Sequence, residues 1–248
     1  VPGDRIVGIL TPGEGITIYP IQSPALMDFD DQPERWLDVR WDIDERHPQQ
    51  PINPYGRSKW MVEQMLADYD KAYDMKSVCL RYFNAAGADP QGLLGERHEP
   101  ETHLIPLVLQ AASGRRASIS VFGRDYDTPD GTCIRDYIHV LDLADAHVKA
   151  LSHLTSGSGS LMLALNLGTG RGASVRQVID AAKRITGRPI METKEPRRAG
   201  DPPALVADPT RAKTILGWSA MRSALETQIY DAWRWDQVYF GKNIAGVG

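Results

Sequence analysis

A tyrosine and a lysine one helical turn apart carry the most suggestive chemistry in this sequence. They are Tyr55 and Lys59, in the stretch Asn53-Pro54-Tyr55-Gly56-Arg57-Ser58-Lys59. Residues four apart share one face of a helix. A tyrosine hydroxyl is a weak base at neutral pH because its unperturbed pKa is about 10, and a nearby ammonium favours the phenolate. Such a phenol could exchange a proton with a substrate hydroxyl. Taken alone, however, Y-x-x-x-K more often marks a packed tyrosine beside a solvated lysine.

The elements around this pair predict an α/β fold. Pro54 favours an extended residue before it, and a helix is predicted over Pro54–Tyr73. The apolar run Ser77–Phe83 predicts a buried strand, with Cys79 in the core. Small residues at Asn84–Ala88 then turn the chain. A helix followed by a buried strand is typical of a layered fold with a mainly parallel sheet.

Further elements follow along the chain. Helices are predicted at His103–Ser113, Val140–His153, Val175–Thr186, Asp208–Leu216 and Ser223–Tyr239, and strands at Ile6–Leu10, Ile16–Ile21, Ile119–Gly123, Cys133–His139 and Leu161–Leu167. A proline-rich lead-in covers His47–Asn53, and a Ser/Gly linker covers Thr155–Ser160. The acidic stretch Asp28–Asp42 has no clear period.

Composition excludes several classes of protein. The 248 residues are 42% hydrophobic and 24% charged, with a net charge of −4, which is ordinary for a globular chain. There is no basic block, so neither nucleic acid nor an anionic membrane is an expected partner. Cys79 and Cys133 are too few for a disulfide framework, and the spacing of the six histidines predicts no metal site. With no long apolar run and no basic-then-apolar leader, a cytoplasmic location is expected.

A glycine-rich loop follows the Leu163–Leu167 run. Its spacing is G-x-G-x-G at Gly168–Gly172, whereas the dinucleotide fingerprint is G-x-G-x-x-G. Pro189 also weakens the strand expected next in a dinucleotide-binding unit. Ser174 as the N-cap of the following helix explains the loop more simply.

Polar residues from distant segments could together bind an anion. Asn84 ends a buried strand, and α/β folds bind ligands at the carboxyl ends of strands. Arg135 and Tyr137 lie in one apolar segment, and Arg197 and Arg198 in another. Arginines suit bidentate binding of phosphate, so these residues fit a diphosphate, although each alone is as well explained by a surface charge. His103 is expected to be a helix cap or otherwise structural and not catalytic.

Taken together, these segments resemble the UDP-glucose 4-epimerases, which are extended members of the short-chain dehydrogenase/reductase superfamily. The resemblance spans about residues 44–240. The segments that carry it, in order, are Asn53–Lys59, Arg81–Gly87, His103–Pro106, Val121–Gly123, Arg135–Ala144 and Pro196–Asp201.

The resemblance implies a fold and a division of the chain. The fold would be an incomplete Rossmann-like parallel sheet with a smaller α/β substrate-binding domain. Residues 1–43 would be an atypical, unassigned segment. Residues 44–88 would be the remainder of the NAD-binding domain, and residues 89–248 mainly the UDP-sugar-binding domain, with some segments returning to the Rossmann-like sheet. The resemblance also implies homodimers formed through the helix that bears Tyr55.

The resemblance further implies interconversion of UDP-glucose and UDP-galactose through a 4-keto sugar, with NAD as cofactor. Tyr55 would take the proton from the sugar 4-hydroxyl. Lys59 would hold the nicotinamide ribose and stabilise the phenolate, and Tyr82 would border the nicotinamide. The other implied residues bind substrate: Asn84, Arg135 and Arg198 at the diphosphate, Leu104, Val121 and Phe122 at the uridine, Asp201 at its ribose, Tyr137 beside Arg135, and Leu205 bordering the sugar.

The sequence also departs from this family. The glycine fingerprint of the family's amino-terminal half is missing, and Asp30 lies where a Ser or Thr is expected upstream of the tyrosine. We therefore expect residues 1–43 to derive from a truncated gene or one read out of its ancestral frame. Two alternatives stay open, a non-catalytic remnant that keeps the UDP-sugar lobe and another NAD-dependent nucleotide-sugar enzyme such as a dehydratase or decarboxylase.

Overall fold

The chain forms two compact units, residues 1–46 and residues 47–248. The computed structural model describes residues 6–11, 15–20, 23–29, 32, 36–38, 51, 54–157, 162–198 and 201–244. The predicted lead-in at 47–53, apart from Pro51, and the end of the predicted linker at 158–160 lie outside this range, as does Asp30.

The first unit contains a three-stranded antiparallel sheet. Strand β1 (Ile6–Thr11) lies between β2 (Gly15–Pro20) and β3 (Trp36–Asp38). A 3₁₀ turn covers Pro24–Phe29. The first two strands were predicted from apolar runs. The third lies in the acidic stretch, where the sequence has no strand period to mark it.

The second unit alternates helices and strands. In chain order they are α1 (Pro54–Tyr73), β4 (Ser77–Tyr82), β5 (Asn84–Ala86), α2 (Leu104–Ala112), β6 (Ile119–Phe122), β7 (Ile134–Arg135), β8 (Tyr137–His139), α3 (Val140–Thr155), β9 (Met162–Leu167), β10 (Ala173–Ser174), α4 (Val175–Thr186), β11 (Glu192–Glu195), β12 (Ala204–Leu205), α5 (Thr210–Leu216) and α6 (Leu225–Ile244).

Most strand pairs of this unit are parallel. Strands β4 and β9 pair in this way, as do β5 with β8, β6 with β11, and β7 with β12. Strand β10 pairs antiparallel with β7. Parallel pairs joined by helices confirm the predicted α/β class.

Two hydrophobic clusters hold this unit together. One joins α2, α4 and α6 to β5, β6 and β8, around Val108, Val121 and Ile179. The other joins α3, α5 and β9 around Leu165 and the fully buried Trp218. Helices α2, α3 and α4 thus bury the apolar faces that predicted them, whereas α1 has no buried residue.

Strand β4 corrects one sequence prediction. It was expected to be a buried strand, yet Ser77–Arg81 are only half-buried and Tyr82 is exposed. Cys79, expected in the core, is likewise only half-buried, although burial still raises the pKa of its thiol. The physical reason is the edge of the sheet, because β9 alone pairs with β4 among the described strands.

The start of α4 confirms the capping prediction. The Ser174 hydroxyl accepts a hydrogen bond from the Gln177 amide at 3.0 Å, and the Gln177 side chain accepts one from the Ser174 amide at 2.8 Å. This reciprocal pair satisfies two amides that the first turn leaves unbonded. Within the described residues, no helix is both long and apolar enough to cross a membrane.

Candidate active site

Helix α1 presents Tyr55 and Lys59 on its first two turns. The Lys59 ammonium lies 5.5 Å from the centroid of the Tyr55 ring, and 73% of Tyr55 is exposed. Pro54 is the first residue of the helix. Its lack of an N–H costs nothing there, because an amide at this position has no partner within the helix. Asn53, the first residue of the motif, lies outside the described residues. The two functional groups are therefore adjacent and accessible.

An ion pair fixes α1 against β4. Arg81 donates to both carboxylate oxygens of Glu63, from Nε at 2.8 Å and from Nη2 at 2.5 Å. The Glu63 side chain is only 14% exposed. A bidentate guanidinium–carboxylate pair restricts orientation as well as distance. Arg81 thereby anchors the helix that carries Tyr55 to the strand that ends at Tyr82.

Tyr82 and Asn84 lie where the chain passes from β4 to β5. Tyr82 is 47% exposed at the end of β4, and Asn84 begins β5. Asn84 is opposite Tyr137 in the parallel β5–β8 pair, and its side-chain amide donates to the Asp136 carbonyl at 3.2 Å. This pairing places the strand that follows α1 and β4 next to the strand that follows Arg135.

Two arginines of the predicted anion cluster make specific contacts. Arg135 donates to the Asp201 carboxylate at 2.5 Å, and its own side chain is 13% exposed. The Arg198 guanidinium lies 3.8 Å from the centroid of the Phe122 ring. Asp201 and Arg198 are linked by a backbone hydrogen bond of 3.3 Å. The structure therefore brings these four predicted residues into one cluster.

The remaining predicted residues differ in exposure. Leu104 is the first residue of α2 and half-buried, Val121 is fully buried, and Leu205 is 38% exposed opposite Arg135 in the β7–β12 pair. Tyr137 lies in the hydrophobic core, and burial raises the pKa of its hydroxyl far above the usual value. This position gives Tyr137 a packing role.

Asp136 is a site residue that the sequence analysis did not single out. Its buried carboxylate accepts hydrogen bonds from the Thr169 amide and hydroxyl, at 3.0 and 2.7 Å, and from the Ala207 amide at 3.2 Å. Burial raises the pKa of Asp136, and the Thr169 hydrogen bonds oppose that rise. Asp136 thus fixes the glycine-rich loop and the chain after β12 beside Arg135. Its position between Arg135 and Tyr137 was the available signal.

The glycine-rich loop packs against protein. A Cβ on Gly168 would lie 2.5 Å from a carboxylate oxygen of Asp136 and 2.6 Å from Cβ of Ala207. One on Gly172 would lie 2.2 Å from a methyl of Ile134. These glycines permit close packing inside the fold and form no open cradle for a pyrophosphate. Tyr55 and Lys59 offer a phenol and an ammonium on an accessible helix, and such donors can hydrogen-bond the hydroxyls of a ribose.

His103, predicted to be a helix cap or otherwise structural, lies at the start of α2. It occupies the N-cap position of α2, but its side chain makes no capping hydrogen bond. Its Nδ1 instead lies 2.8 Å from a Glu96 oxygen and 2.9 Å from a Glu101 oxygen. The two carboxylates hold the ring away from the helix amides.

The fold and this arrangement define an α/β protein of the Rossmann type, with a Tyr–Lys pair on α1 and two arginines, Arg135 and Arg198, grouped with Asp201 and Phe122. Residues 38–168 match the sequence model of the NAD dependent epimerase/dehydratase family. The chain belongs to that family.

Individual relatives agree with this assignment. A UDP-glucose 4-epimerase of Halalkalibacterium halodurans is 51% identical over 199 residues, which cover 79% of this chain and 58% of that relative. The Brucella ovis UDP-glucose 4-epimerase in complex with NAD superposes with a TM-score of 0.75 at 55% identity, covering 79% of this chain and 59% of that one. The Bifidobacterium longum UDP-glucose 4-epimerase in complex with NAD+ and UDP superposes with a TM-score of 0.74 at 41% identity. The match covers 79% of this chain and 58% of that one. This chain thus spans less than two thirds of the length of each.

The amino-terminal segment matches a different family. Residues 1–42 match the sequence model of the RelA/SpoT RIS domain. A segment read out of its frame would not be expected to match a protein family. The match therefore favours an in-frame segment of separate origin over the frame-shift hypothesis.

Proposed function

We propose that this chain carries the catalytic helix and UDP-sugar lobe of an NAD-dependent UDP-glucose 4-epimerase, which interconverts UDP-glucose and UDP-galactose. The observation that carries this proposal is the parallel β5–β8 pair. Through it, β5, which follows the Tyr82 end of β4, lies directly beside β8, which begins two residues after Arg135. A Tyr–Lys pair on α1 and an arginine cluster in the segment that continues into β8 together suit a substrate with a reacting hydroxyl and a diphosphate.

Tyr55 performs the proton transfer in this proposal. Its hydroxyl takes the proton from the sugar 4-hydroxyl and returns it after the 4-keto sugar has turned over. The Lys59 ammonium stabilises the phenolate and holds the nicotinamide ribose, while Tyr82 borders the nicotinamide. NAD+, when bound, supplies the acceptor and donor of the C4 hydride. The exposure of Tyr55 and the short Tyr55–Lys59 separation support these roles.

The uridine diphosphate is bound by the other cluster. Arg135, Arg198 and Asn84 bind its phosphates, and Asp201 binds the uridine ribose. Leu104 and the Val121–Phe122 strand line the uridine pocket, with Val121 contributing its backbone because its side chain is buried in the core. Tyr137 lies beside Arg135. The related Bifidobacterium longum structure is a complex with NAD+ and UDP, which supports the proposal that this chain binds a uridine diphosphate.

Epimerisation is favoured over other chemistry on nucleotide sugars. The H. halodurans relative, about half identical to this chain, is a UDP-glucose 4-epimerase. We also propose the division into residues 1–43, 44–88 and 89–248, a homodimer formed through α1, and a cytoplasmic location. UDP-sugars are the proposed partners, and neither nucleic acid nor membrane is expected.

The decisive experiment uses the full chain with UDP-galactose and added NAD+, following UDP-glucose by chromatography. We expect NAD+-dependent conversion. In parallel, calorimetry measures the affinity for UDP. UDP binding without conversion would overturn the catalytic part of the proposal and favour a non-catalytic remnant. Loss of both would overturn the proposal as a whole.

A further inference from the structure

The loop before α2 gathers two imidazoles and two carboxylates that are separated in the sequence. They belong to Glu96, His98, Glu101 and His103. For three of them, His98, Glu101 and His103, one potential ligand atom each lies within 4.8 Å of the others. The proposed epimerase chemistry assigns no role to this group of three.

The geometry of the two imidazoles suits a shared ion. The ring centroids of His98 and His103 are 5.4 Å apart, with the planes tilted by 49°. Two imidazoles on one tetrahedral zinc ion, with Zn–N bonds of about 2.0–2.1 Å, have centroids about 5 Å apart. The observed separation is close to this value.

The charges around His103 are also unbalanced. Its Nδ1 lies 2.8 Å from a Glu96 oxygen and 2.9 Å from a Glu101 oxygen. One ring nitrogen carries at most one proton, so it cannot donate a full hydrogen bond to both carboxylates. A divalent cation would be attracted by both carboxylates at once and would remove this conflict.

We propose that His98, Glu101 and His103 bind a divalent transition-metal ion of the Zn²⁺ type, with Glu96 completing or supporting the site. Imidazole and carboxylate ligands in a four-coordinate arrangement suit zinc, whereas calcium and magnesium prefer oxygen ligands alone. The site lies outside the Tyr55–Lys59 pair and the arginine cluster. It does not depend on the proposed activity.

The surroundings favour a site that is anchored yet accessible. The Glu101 side chain is 7% exposed and accepts from the amides of Thr102 and His103 at 2.7 and 2.8 Å. The His103 side chain is 49% exposed, so an ion can reach it. Bound metal would fix the loop at the first residue of α2, and binding to the folded state would raise the melting temperature.

The test is calorimetric titration of the tag-free, chelator-treated full chain with ZnCl₂. We expect a site of 1:1 stoichiometry and a melting temperature that rises with Zn²⁺. His98→Ala, a replacement of an exposed side chain, should weaken that site by at least about tenfold, because even outer-shell partners alter metal affinity 10–100-fold. Glu101→Gln should weaken it similarly while keeping an oxygen acceptor for the two amides.

His147→Ala is the matched control, because His147 is an exposed histidine outside the cluster. It should leave the 1:1 site and the zinc-dependent rise in melting temperature unchanged. Circular dichroism establishes that each variant is folded. The proposal is overturned if no zinc binds, or if folded His98→Ala and Glu101→Gln bind zinc as tightly as the parent chain.

Discussion

At the scale of the residue, the proposed chemistry depends on a single hydroxyl. Tyr55 is 73% exposed and has the Lys59 ammonium beside its ring. Tyr55→Phe removes the hydroxyl and keeps the ring. Because general acid–base catalysis contributes about 10²–10⁴-fold, we expect kcat for UDP-galactose to fall by about that factor. Calorimetry should detect unchanged affinity for UDP, since the arginine cluster is intact.

Tyr230→Phe serves as the control for this replacement. Tyr230 is a 55% exposed tyrosine on α6, outside the proposed site. The same loss of a hydroxyl there should leave kcat unchanged. Equal activity of Tyr55→Phe and the parent chain would exclude Tyr55 as the acid–base residue.

At the scale of the element, Glu192 joins β11 to α4. Its carboxylate accepts from both terminal nitrogens of Arg176, at 2.8 and 2.7 Å, and from Lys183 at 2.9 Å. The Arg176 hydrogen bonds, reinforced by Lys183, lower the pKa of Glu192 to about 2. The stabilisation is therefore fully present above the ordinary glutamate pKa of about 4.3 and is lost as pH falls towards 2.

We expect Glu192→Gln to lower the free energy of unfolding at pH 7 by about 1.5–3 kcal/mol, the range for hydrogen bonds to charged groups. The difference from the parent chain should shrink as pH falls below about 4.5. Urea unfolding at pH 7, 4 and 3 measures this difference. Glu226→Gln is the control, because the Arg184–Glu226 pair is 62% exposed at both residues and should contribute about 0–1 kcal/mol. A Glu192→Gln effect that is independent of pH would contradict this account.

The glycine-rich loop gives a second prediction at this scale. In Gly168→Ala the new methyl would approach Asp136 and Ala207 closely. Overpacking of this kind costs about 1–3 kcal/mol, so the melting temperature should fall. Gly241→Ala is the control, since no atom lies within 4 Å of its Cβ position in α6 and alanine favours a helix. Unchanged stability of Gly168→Ala would argue that the loop is open, as a nucleotide cradle would be.

The sequence predicted the elements well where a local signal existed. Helix α1 extends over Pro54–Tyr73, as its proline and apolar period predicted, and α4 begins at the predicted Ser174 cap. The exposure of β4 could not be predicted, because an apolar run does not specify how many strands flank it.

Site residues defined by long-range contacts were also beyond local patterns. Asp136 accepts hydrogen bonds from Thr169, 33 positions away, and from Ala207, 71 positions away. The His98–Glu101–His103 cluster depends on how the loop folds back, which its spacing does not reveal. Tyr55, Arg135 and Arg198 could be predicted as site residues because their motifs occur in a characteristic order along the chain. The Arg135–Asp201 pair came only from the fold.

At the scale of the whole molecule, one chain joins segments that match two families. Residues 1–42 match the RelA/SpoT RIS domain, and residues 38–168 match the NAD dependent epimerase/dehydratase family. The structure divides at a similar place, between residues 46 and 47. The abrupt change of sequence character near residue 44 therefore marks a junction between two folding units.

An exposed apolar stripe runs along α1 in the second unit. Met61, Met65, Tyr69 and Tyr73 recur every four residues, and each is between 49% and 74% exposed. Residues at this spacing lie on one face of a helix, and contiguous exposed apolar surface marks interaction sites. This stripe is the proposed contact between two copies of the chain.

A single charge in this stripe tests the proposed dimer. Met65→Lys would bury an unpaired ammonium in the contact, so we expect the dimer dissociation constant to rise at least about tenfold, equivalent to about 1.4 kcal/mol. Size-exclusion chromatography with light scattering measures the mass across a range of concentrations. Met221→Lys, at a methionine that is 85% exposed outside α1, should leave the mass unchanged. A parent chain that is monomeric throughout, or a Met65→Lys dimer as tight as the parent, would exclude α1 as the contact, because a lysine cannot be accommodated there without loss of affinity.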